Sequence, residues 1–443
     1  MARRRTYLRS SSPAGVRRAS RRAWLKAALA GAAGVLGGAL ARTGPGRAAP
    51  SGATAANGAK GTAAKALHAP FQPGVPAGEK PYGAPSPFAR GLVRRWLRGM
   101  LPSPLSRASF TPLAELEGII TPNGLVFERH HGGAPHIDPA RFRLAVHGLM
   151  ARPMAFTLDD LKRLDSVSRI HFLECAGNNS MSWGGPRLNA VQFTHGLLSC
   201  CEWTGVRLWD VLRLCGVRDN ARWLLAEGAD GVAYARSVPR ELWDEALLVF
   251  AQNGEPLRPE QGFPLRLLVP GAEGSLNVKW LHRLKVGDEP WLTREETARY
   301  ADLQDDGRAR LFTLVQEANS VITLPCPEKP LTQHGRQRLS GIAWSGHGRI
   351  TAVDVSFDGG VNWRPARLEE PVLPKCLTRF SLPFEWNGEE LLLQSRAVDE
   401  QGNVQPTYEE MLKVKSARQV YHNNAITTWR VLSSGKVRHV RLG

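Results

Sequence analysis

The reading of this chain turns on Arg169-Ile170-His171-Phe172-Leu173-Glu174-Cys175-Ala176-Gly177-Asn178-Asn179-Ser180. Ile170, Phe172 and the neighbouring Val167 are β-branched or aromatic types that fill a buried strand, and Ala-Gly-Asn-Asn suits a tight exit from it. The pattern predicts a strand that presents the Cys175 thiol where it opens into a loop. Functional groups often sit at such a point, because the strand fixes them while the loop leaves one side open. A thiolate placed there is a nucleophile or a soft ligand for a transition metal. The plainer alternative is a buried structural thiol, since free Cys is among the most buried residue types. The segment alone does not decide between them.

Composition narrows the classes. The chain has 443 residues, 42% of them hydrophobic, and 13 Trp, enough for two or three globular domains with a sizeable core. Its formal charge of +18 is concentrated at the start: residues 1–49 hold eleven Lys or Arg and no acid, which leaves +7 spread over the remainder. No dense basic stripe results, which argues against nucleic acid and is compatible with docking an acidic protein partner. The six cysteines (Cys175, Cys200, Cys201, Cys215, Cys326 and Cys376) form neither CxxC nor CxxCH, so no zinc ribbon and no covalently attached haem is indicated. Cys200 and Cys201 lie in an apolar stretch and read as buried small residues. A zinc site from His130, His131, His136 and Cys175 matches no compact ligand spacing.

Residues 1–49 read as a twin-arginine signal peptide. Ser20-Arg21-Arg22-Ala23-Trp24-Leu25-Lys26 precedes a weakly hydrophobic Ala/Gly/Leu run to Ala41, and Arg47-Ala48-Ala49 offers a small-residue cleavage site. The run is too short and Gly-rich for a membrane span. Export of the folded protein to the periplasm is the expectation, and folded export suits a cofactor inserted beforehand. Residues 50–90, rich in Ala, Gly and Pro, suit a flexible or wrapping arm.

From residue 91 to about 320 short strands alternate with short helices. Arg143 to Gly148 and Leu265 to Val269 read as strands, Leu208 to Leu212 as a helix, and Thr157 as the cap of a helix through Lys162. The mixture indicates an α+β domain rather than a doubly wound sheet. Over 321–443 the pattern becomes short strands with Gly/Asn turns. Ala352 to Phe357 alternates, Asp358-Gly359-Gly360 turns the chain, Val361-Asn362-Trp363 begins a return strand, and Leu391 to Val398 forms another. A small Ig-like β-sandwich is expected there.

Three further segments are candidates to meet Cys175. Phe127-Glu128-Arg129-His130-His131 offers a guanidinium and imidazoles suited to an anion, or is merely a solvated basic loop. Gly271 to Trp280 has Gly and carries Lys279 near its end, so it suits a phosphate, although it is no Walker loop and a lysine before Trp is usually a surface charge. Tyr300 is the third. Together with Glu174-Cys175-Ala176-Gly177-Asn178, Glu227-Gly228-Ala229-Asp230 and Gly262-Phe263-Pro264-Leu265-Arg266, these ordered landmarks resemble the sulfite oxidase family of molybdenum enzymes over about residues 118 to 430. Gly118 to Gly124, Phe127 to Gly133 and Tyr421-His422-Asn423-Asn424-Ala425-Ile426 carry a narrower resemblance, to the sulfane dehydrogenases of thiosulfate oxidation.

By that resemblance Cys175 is the protein ligand of molybdenum in a molybdopterin cofactor, one per subunit. Phe127, Arg129, His130, His131, Asp230, Gln261, Arg266, Asn277, Val278 and Lys279 match positions that hold the cofactor, and Tyr300 and Arg129 match active-site positions. The sandwich resembles a dimerisation domain, which implies a homodimer. Some positions depart from the family: Asn179 and Ser180 stand where sulfite oxidases usually carry arginines, Gln261 stands where many members have histidine, and Arg418 corresponds only loosely to a second family arginine. The loss of a guanidinium favours a less charged or carrier-tethered sulfur over free sulfite. The resemblance therefore implies a periplasmic oxidoreductase that oxidises sulfane sulfur on a carrier protein by oxygen transfer from water, with electrons leaving to a c-type cytochrome partner. Direct oxidation of free sulfite, reduction of sulfoxides and a non-catalytic periplasmic binding protein are the alternatives.

Overall fold

The computed structural model describes residues 82–96 and 105–442. The leader expected over 1–49 and most of the arm expected over 50–90 lie outside the described residues. At the end of the arm, Tyr82 Oη donates to Glu255 Oε2 (2.8 Å) and accepts from Arg258 Nη2 (2.9 Å).

The first part of the chain runs β1 (Leu144–Gly148), β2 (Met154–Phe156), α1 (Leu158–Lys162), β3 (Ser166–Glu174), β4 (Leu198–Arg207), α2 (Leu208–Cys215), β5 (Trp223–Gly228), β6 (Ala235–Pro239), β7 (Leu247–Gln252), β8 (Arg266–Leu268) and β9 (Leu281–Gly287). One sheet has the order β2-β1-β9-β5-β6, parallel only between β9 and β1. The other packs β7 between β4 and β8 and ends at β3. Thr157 caps α1 as its sequence implies: its hydroxyl accepts from Asp160 N (3.0 Å) while the Asp160 carboxylate accepts from Thr157 N (2.9 Å). α2 continues to Cys215 and ends where Gly216 takes the left-handed conformation at φ 67°.

β3 is the element that places the site. It enters exposed at Ser166 and is buried from Phe172 onward, pairing antiparallel with β4 from Ser166↔Val206 to Glu174↔Leu198. Its free edge is covered by the second part of the chain, since Phe172 N donates to Lys375 O (3.0 Å).

That second part is β10 (Asn319–Leu324), β11 (Gly335–Trp344), β12 (Ile350–Ser356), β13 (Thr378–Trp386), β14 (Leu391–Asp399), β15 (Thr428–Val431) and β16 (Val437–Val440). β10-β11-β13 and β12-β14-β15-β16 belong to two sheets of a β-sandwich. Trp344, Phe380, Leu393 and Trp429 fill its interior, and that core continues without a break into Phe172, Val191 and Leu198. A core shared in this way holds the exit of β3 rigidly against the sandwich.

One expected hairpin is corrected. Val361 to Trp363 do not form the return strand; pairing with β12 resumes only at Arg364–Pro365. The Asp358 carboxylate accepts from Asn362 N (2.9 Å) and Nδ2 (2.7 Å) and from Ser356 Oγ (2.7 Å), which prolongs the turn past the two glycines. Among the described residues no helix is long and apolar enough to cross a membrane.

Candidate active site

Cys175 follows β3 directly. Its N–H donates to Leu197 O (3.0 Å), its carbonyl accepts from Asn178 N (2.8 Å), and Gly177 N–H points at its sulfur (3.4 Å). Gly274 passes close behind: a Cβ there would lie 2.8 Å from Glu174 O and 3.2 Å from the Cys175 Cα. Burial holds the thiol above its ordinary range, while the Gly177 N–H and the Arg129 guanidinium favour the thiolate. The thiol opens into a narrow cleft with a void of about 70 Å³.

All twelve residues singled out from the sequence line this cleft. Phe127, Arg129, His130 and His131 arrive on a short strand, Glu128–Arg129, paired with Ala108 and Ser109. Asp230 comes from the turn after β5, Gln261 from a 3-10 turn, Arg266 from β8, Asn277, Val278 and Lys279 from the loop before β9, and Tyr300 from the turn that follows a short helix, Arg294–Thr297. Lys279 is not a surface charge. Its ammonium donates to His130 Nδ1 (2.7 Å), Glu260 O (3.0 Å) and Arg129 O (3.2 Å). Burial, then the charge of Arg266, pushes it down to about 7.

Arg266 is 1% exposed and stacks over Trp203. It donates only to the carbonyls of Gln261 (3.0 Å) and Asn277 (3.1 Å), and its Nε has no partner. Burial pulls it down to about 10. Buried guanidinium groups ordinarily face a carboxylate or phosphate. Among the described residues Arg266 and Lys279 form no ion pair, while Asp230, the carboxyl that lines the cleft, is pushed up by burial. Two cations without an ion-pair partner suit an anionic group such as the phosphate of a pterin, and Cys175 lines the same cleft. Among the described residues no three His, Cys, Asp or Glu side chains converge on a metal position, so the zinc constellation does not form.

The hydrogen-bond roles around Tyr300 follow from donor counting. Arg299, which can only donate, meets His131 Nδ1, so that nitrogen accepts and the ring proton sits on Nε2, 3.2 Å from Tyr300 Oη. Burial, then Arg129, pushes His131 down to about 3, which keeps it neutral. Tyr300 thus receives a hydrogen bond and keeps its own proton, held well above the ordinary phenol range by burial and then by the neighbouring Tyr234. The Arg236 guanidinium covers the other side of its ring at 4.9 Å.

Asn179 and Ser180 do not line the cleft. Asn179 takes a left-handed conformation at φ 54°, its carboxamide accepts from Ser182 Oγ (2.5 Å), and it faces a separate groove with Ser182. No cation therefore enters from that turn. Arg418 is exposed and outside the cleft, because the segment carrying it turns Lys415, His422 and Asn424 inward instead.

Sequence reasoning missed Tyr234, whose ring stacks on His131 (5.7 Å, 6°), and Ser275. It also missed a buried charge network behind the cleft. Arg236 pairs with Glu273 (2.8 Å), Glu273 with His422 Nε2 (3.2 Å), and His422 Nδ1 with Asp302 (3.2 Å). Despite burial, these carboxylates raise His422 to about 9, so it is an imidazolium at neutral pH. A folded value above the unfolded one stabilises the fold fully below about pH 6.5 and loses that effect as pH rises through 9. Replacing His422 by Gln is expected to cost about 3–5 kcal/mol at pH 6 and progressively less toward pH 9.5. Urea unfolding at the two pH values measures it, and an equal loss at both would refute the charge assignment.

Residues 131–294 match the oxidoreductase molybdopterin binding domain and residues 311–429 the Mo-co oxidoreductase dimerisation domain. Sulfite oxidase of Gallus gallus is 33% identical over 324 residues, covering 67% of this chain and 70% of that one. The chain belongs to the sulfite oxidase family. It is 35% identical to mitochondrial sulfite oxidase of Mus musculus over 318 residues, 66% of this chain, and spans 58% of the length of that relative. Among solved structures, the sulfane dehydrogenase SoxCD from Paracoccus pantotrophus superposes with a TM-score of 0.83 at 46% identity, covering 84% of this chain and 96% of that one. The α+β domain and following sandwich are thus the molybdopterin-binding and dimerisation folds of a sulfite oxidase-family oxidoreductase.

Proposed function

We propose that this protein is a periplasmic molybdenum oxidoreductase that oxidises sulfane sulfur held as a persulfide on a carrier protein. The observation that carries the reading is the cleft: a thiol at the end of a rigid strand, a guanidinium and a proton-bearing tyrosine beside it, and two further cations, Arg266 and Lys279, without an ion-pair partner among the described residues. The sulfane dehydrogenase likeness at 46% identity supports the substrate class. So does the turn after Cys175, which brings no second guanidinium for a sulfite dianion.

In this reading Cys175 is the protein's ligand to molybdenum, and Arg266, Lys279, Asn277 and the residues around them hold the pterin and its phosphate. Bound there, the cofactor supplies oxygen-atom transfer with two electrons accepted per oxygen. The chain's own groups orient and polarise. Tyr300 Oη, which accepts from His131 Nε2 and keeps its own proton close to Cys175, is the hydroxyl that would donate to an oxygen held there. Arg129, anchored on Ser106 Oγ (3.3 Å) and His130 O, adds positive charge where negative charge collects on oxygen. Electrons leave to a c-type cytochrome, the subunit pairs with a second copy through the sandwich, and the twin-arginine leader exports the folded, loaded protein.

Free sulfite is the second reading, favoured by the sulfite oxidase relatives. Steady-state reduction of cytochrome c with a persulfidated carrier protein and with sulfite separates the two. The persulfide is expected to give the higher kcat/KM by more than about tenfold, the value of one lost charge-assisted contact to sulfite. A protein that turned over sulfite alone would sink the assignment, and one purified without molybdenum or pterin would be a binding protein.

A further inference from the structure

One aromatic group beside the cleft has no part in the account so far. Tyr421 stands just outside the lining residues, half-buried, its ring 5.1 Å from that of Tyr300 at 34°. Its position comes from its neighbours. His422 N donates to Ala176 O (2.9 Å), one residue beyond Cys175, and the His422 ring is locked between Glu273 and Asp302. Lys415 Nζ closes the segment by donating to His422 O (2.8 Å) and Asn424 Oδ1 (2.9 Å). The strap is thus tied to the Cys175 loop immediately after Tyr421 and folded back on itself by Lys415, while the Tyr421 hydroxyl has no hydrogen-bond partner among the described residues. That hydroxyl lies within electrostatic reach of both the Cys175 thiol and the Arg129 guanidinium, and a phenol carries its proton at neutral pH. A protonated donor held against Tyr300, near Cys175 and Arg129 and without a partner among the described residues, is placed to meet a ligand that reaches them.

We propose that Tyr421 is a substrate-positioning residue, its hydroxyl donating to the anionic end of the sulfur substrate and its ring forming, with Tyr300, the wall along which that substrate reaches the Cys175 site. This rests on sulfur oxidation at Cys175 as proposed above and adds a specificity determinant supplied by the C-terminal part of the chain. The ring allows a narrow, thioether-like or persulfide chain to slide past, since sulfur packs favourably at aromatic edges.

The test compares wild-type, Tyr421→Phe and Tyr421→Ala holoenzymes, each assayed with sulfite and with a persulfidated carrier, and titrated calorimetrically with sulfate as a non-reacting anion. Removing only the hydroxyl in Tyr421→Phe is expected to raise KM about three- to tenfold, the effect of one hydrogen bond, with kcat within about twofold. Sulfate affinity should fall by a similar factor, and molybdenum content should stay at the wild-type level. Tyr421→Ala should raise KM further; if it does not fold, Tyr421→Phe decides alone. An unchanged KM and sulfate affinity in Tyr421→Phe overturns the proposal, whether or not kcat or metal content changes. Should the wild type oxidise sulfite and no persulfide, the substrate assignment fails, while Tyr421 is still judged on its sulfite KM.

Discussion

A Cys175→Ser variant is expected to fold normally and to lose at least about 100-fold in turnover, with molybdenum content falling in parallel. The magnitude follows from ligand chemistry. Removing a partner that merely orients a ligand already costs about 10–100-fold in affinity or activity, and here the ligand atom itself changes. Serine is nearly the same size, but its hydroxyl is a hard, weakly acidic donor in place of a soft thiolate. The site is built for the thiolate: Gly177 N–H and Arg129 both favour it against the burial that opposes it. Cys201 supplies the control. It is fully buried, pushed up to about 12 by burial, and its thiol meets Thr121 O (3.7 Å) and Gln252 Nε2 (3.1 Å). Cys201→Ser is therefore expected to change stability and leave the rate per molybdenum unchanged. Metal analysis, visible absorption and turnover of both variants read the contrast, and a Cys175→Ser protein with full metal and full rate would return Cys175 to the class of structural thiols.

The contrast between these two cysteines also marks how far sequence carries. Ile170 and Phe172 announce a buried strand and Ala176 to Asn179 announce its turn, so the place of Cys175 is legible from local pattern alone. What local pattern cannot supply is the convergence of Arg129, Arg266 and Lys279, which lie on three separate segments; family resemblance placed them together and periodicity did not. Lys279 shows the limit most clearly. A lysine before a tryptophan reads as a surface charge, yet the loop before β9 turns it inward onto the carbonyls of Arg129 and Glu260. The charge network through His422 was invisible for a related reason. Its partners Glu273, Asp302 and Ala176 are remote in sequence, and a single histidine among polar residues gives no sign of lying between two buried carboxylates. The Val361 return strand failed on turn chemistry, because Asp358 captures Asn362 before pairing can begin.

Lys279→Met is expected to act in opposite directions on the empty and the loaded protein. With cofactor present, losing one ammonium to an anionic group removes about 1.5–3 kcal/mol, so pterin retention should weaken about 10- to 150-fold. Without cofactor the same ammonium is a burden: burial and the neighbouring Arg266 hold it down to about 7, against about 10.4 in an unfolded chain. Methionine fills similar volume without a charge to desolvate, and such replacements are often neutral or stabilising. The acceptors that Lys279 leaves, His130 Nδ1 and two backbone carbonyls, border an open cleft and regain water. The pH dependence fixes the sign. Between about pH 7 and 10.4 the unfolded wild type binds the proton that the folded apo form sheds, so the Lys279 contribution to wild-type stability improves as pH rises. The advantage of apo Lys279→Met over apo wild type should therefore be largest below pH 7 and vanish above about 10.4. Thermal unfolding of both apo proteins at pH 6.5 and 10.5, with pterin fluorescence and molybdenum content of the loaded forms, tests each half separately. An apo variant several kcal/mol less stable at pH 6.5 would make Lys279 a structural brace. A variant that kept its full cofactor would mean that the counter-charge Arg266 lacks is not the one Lys279 serves.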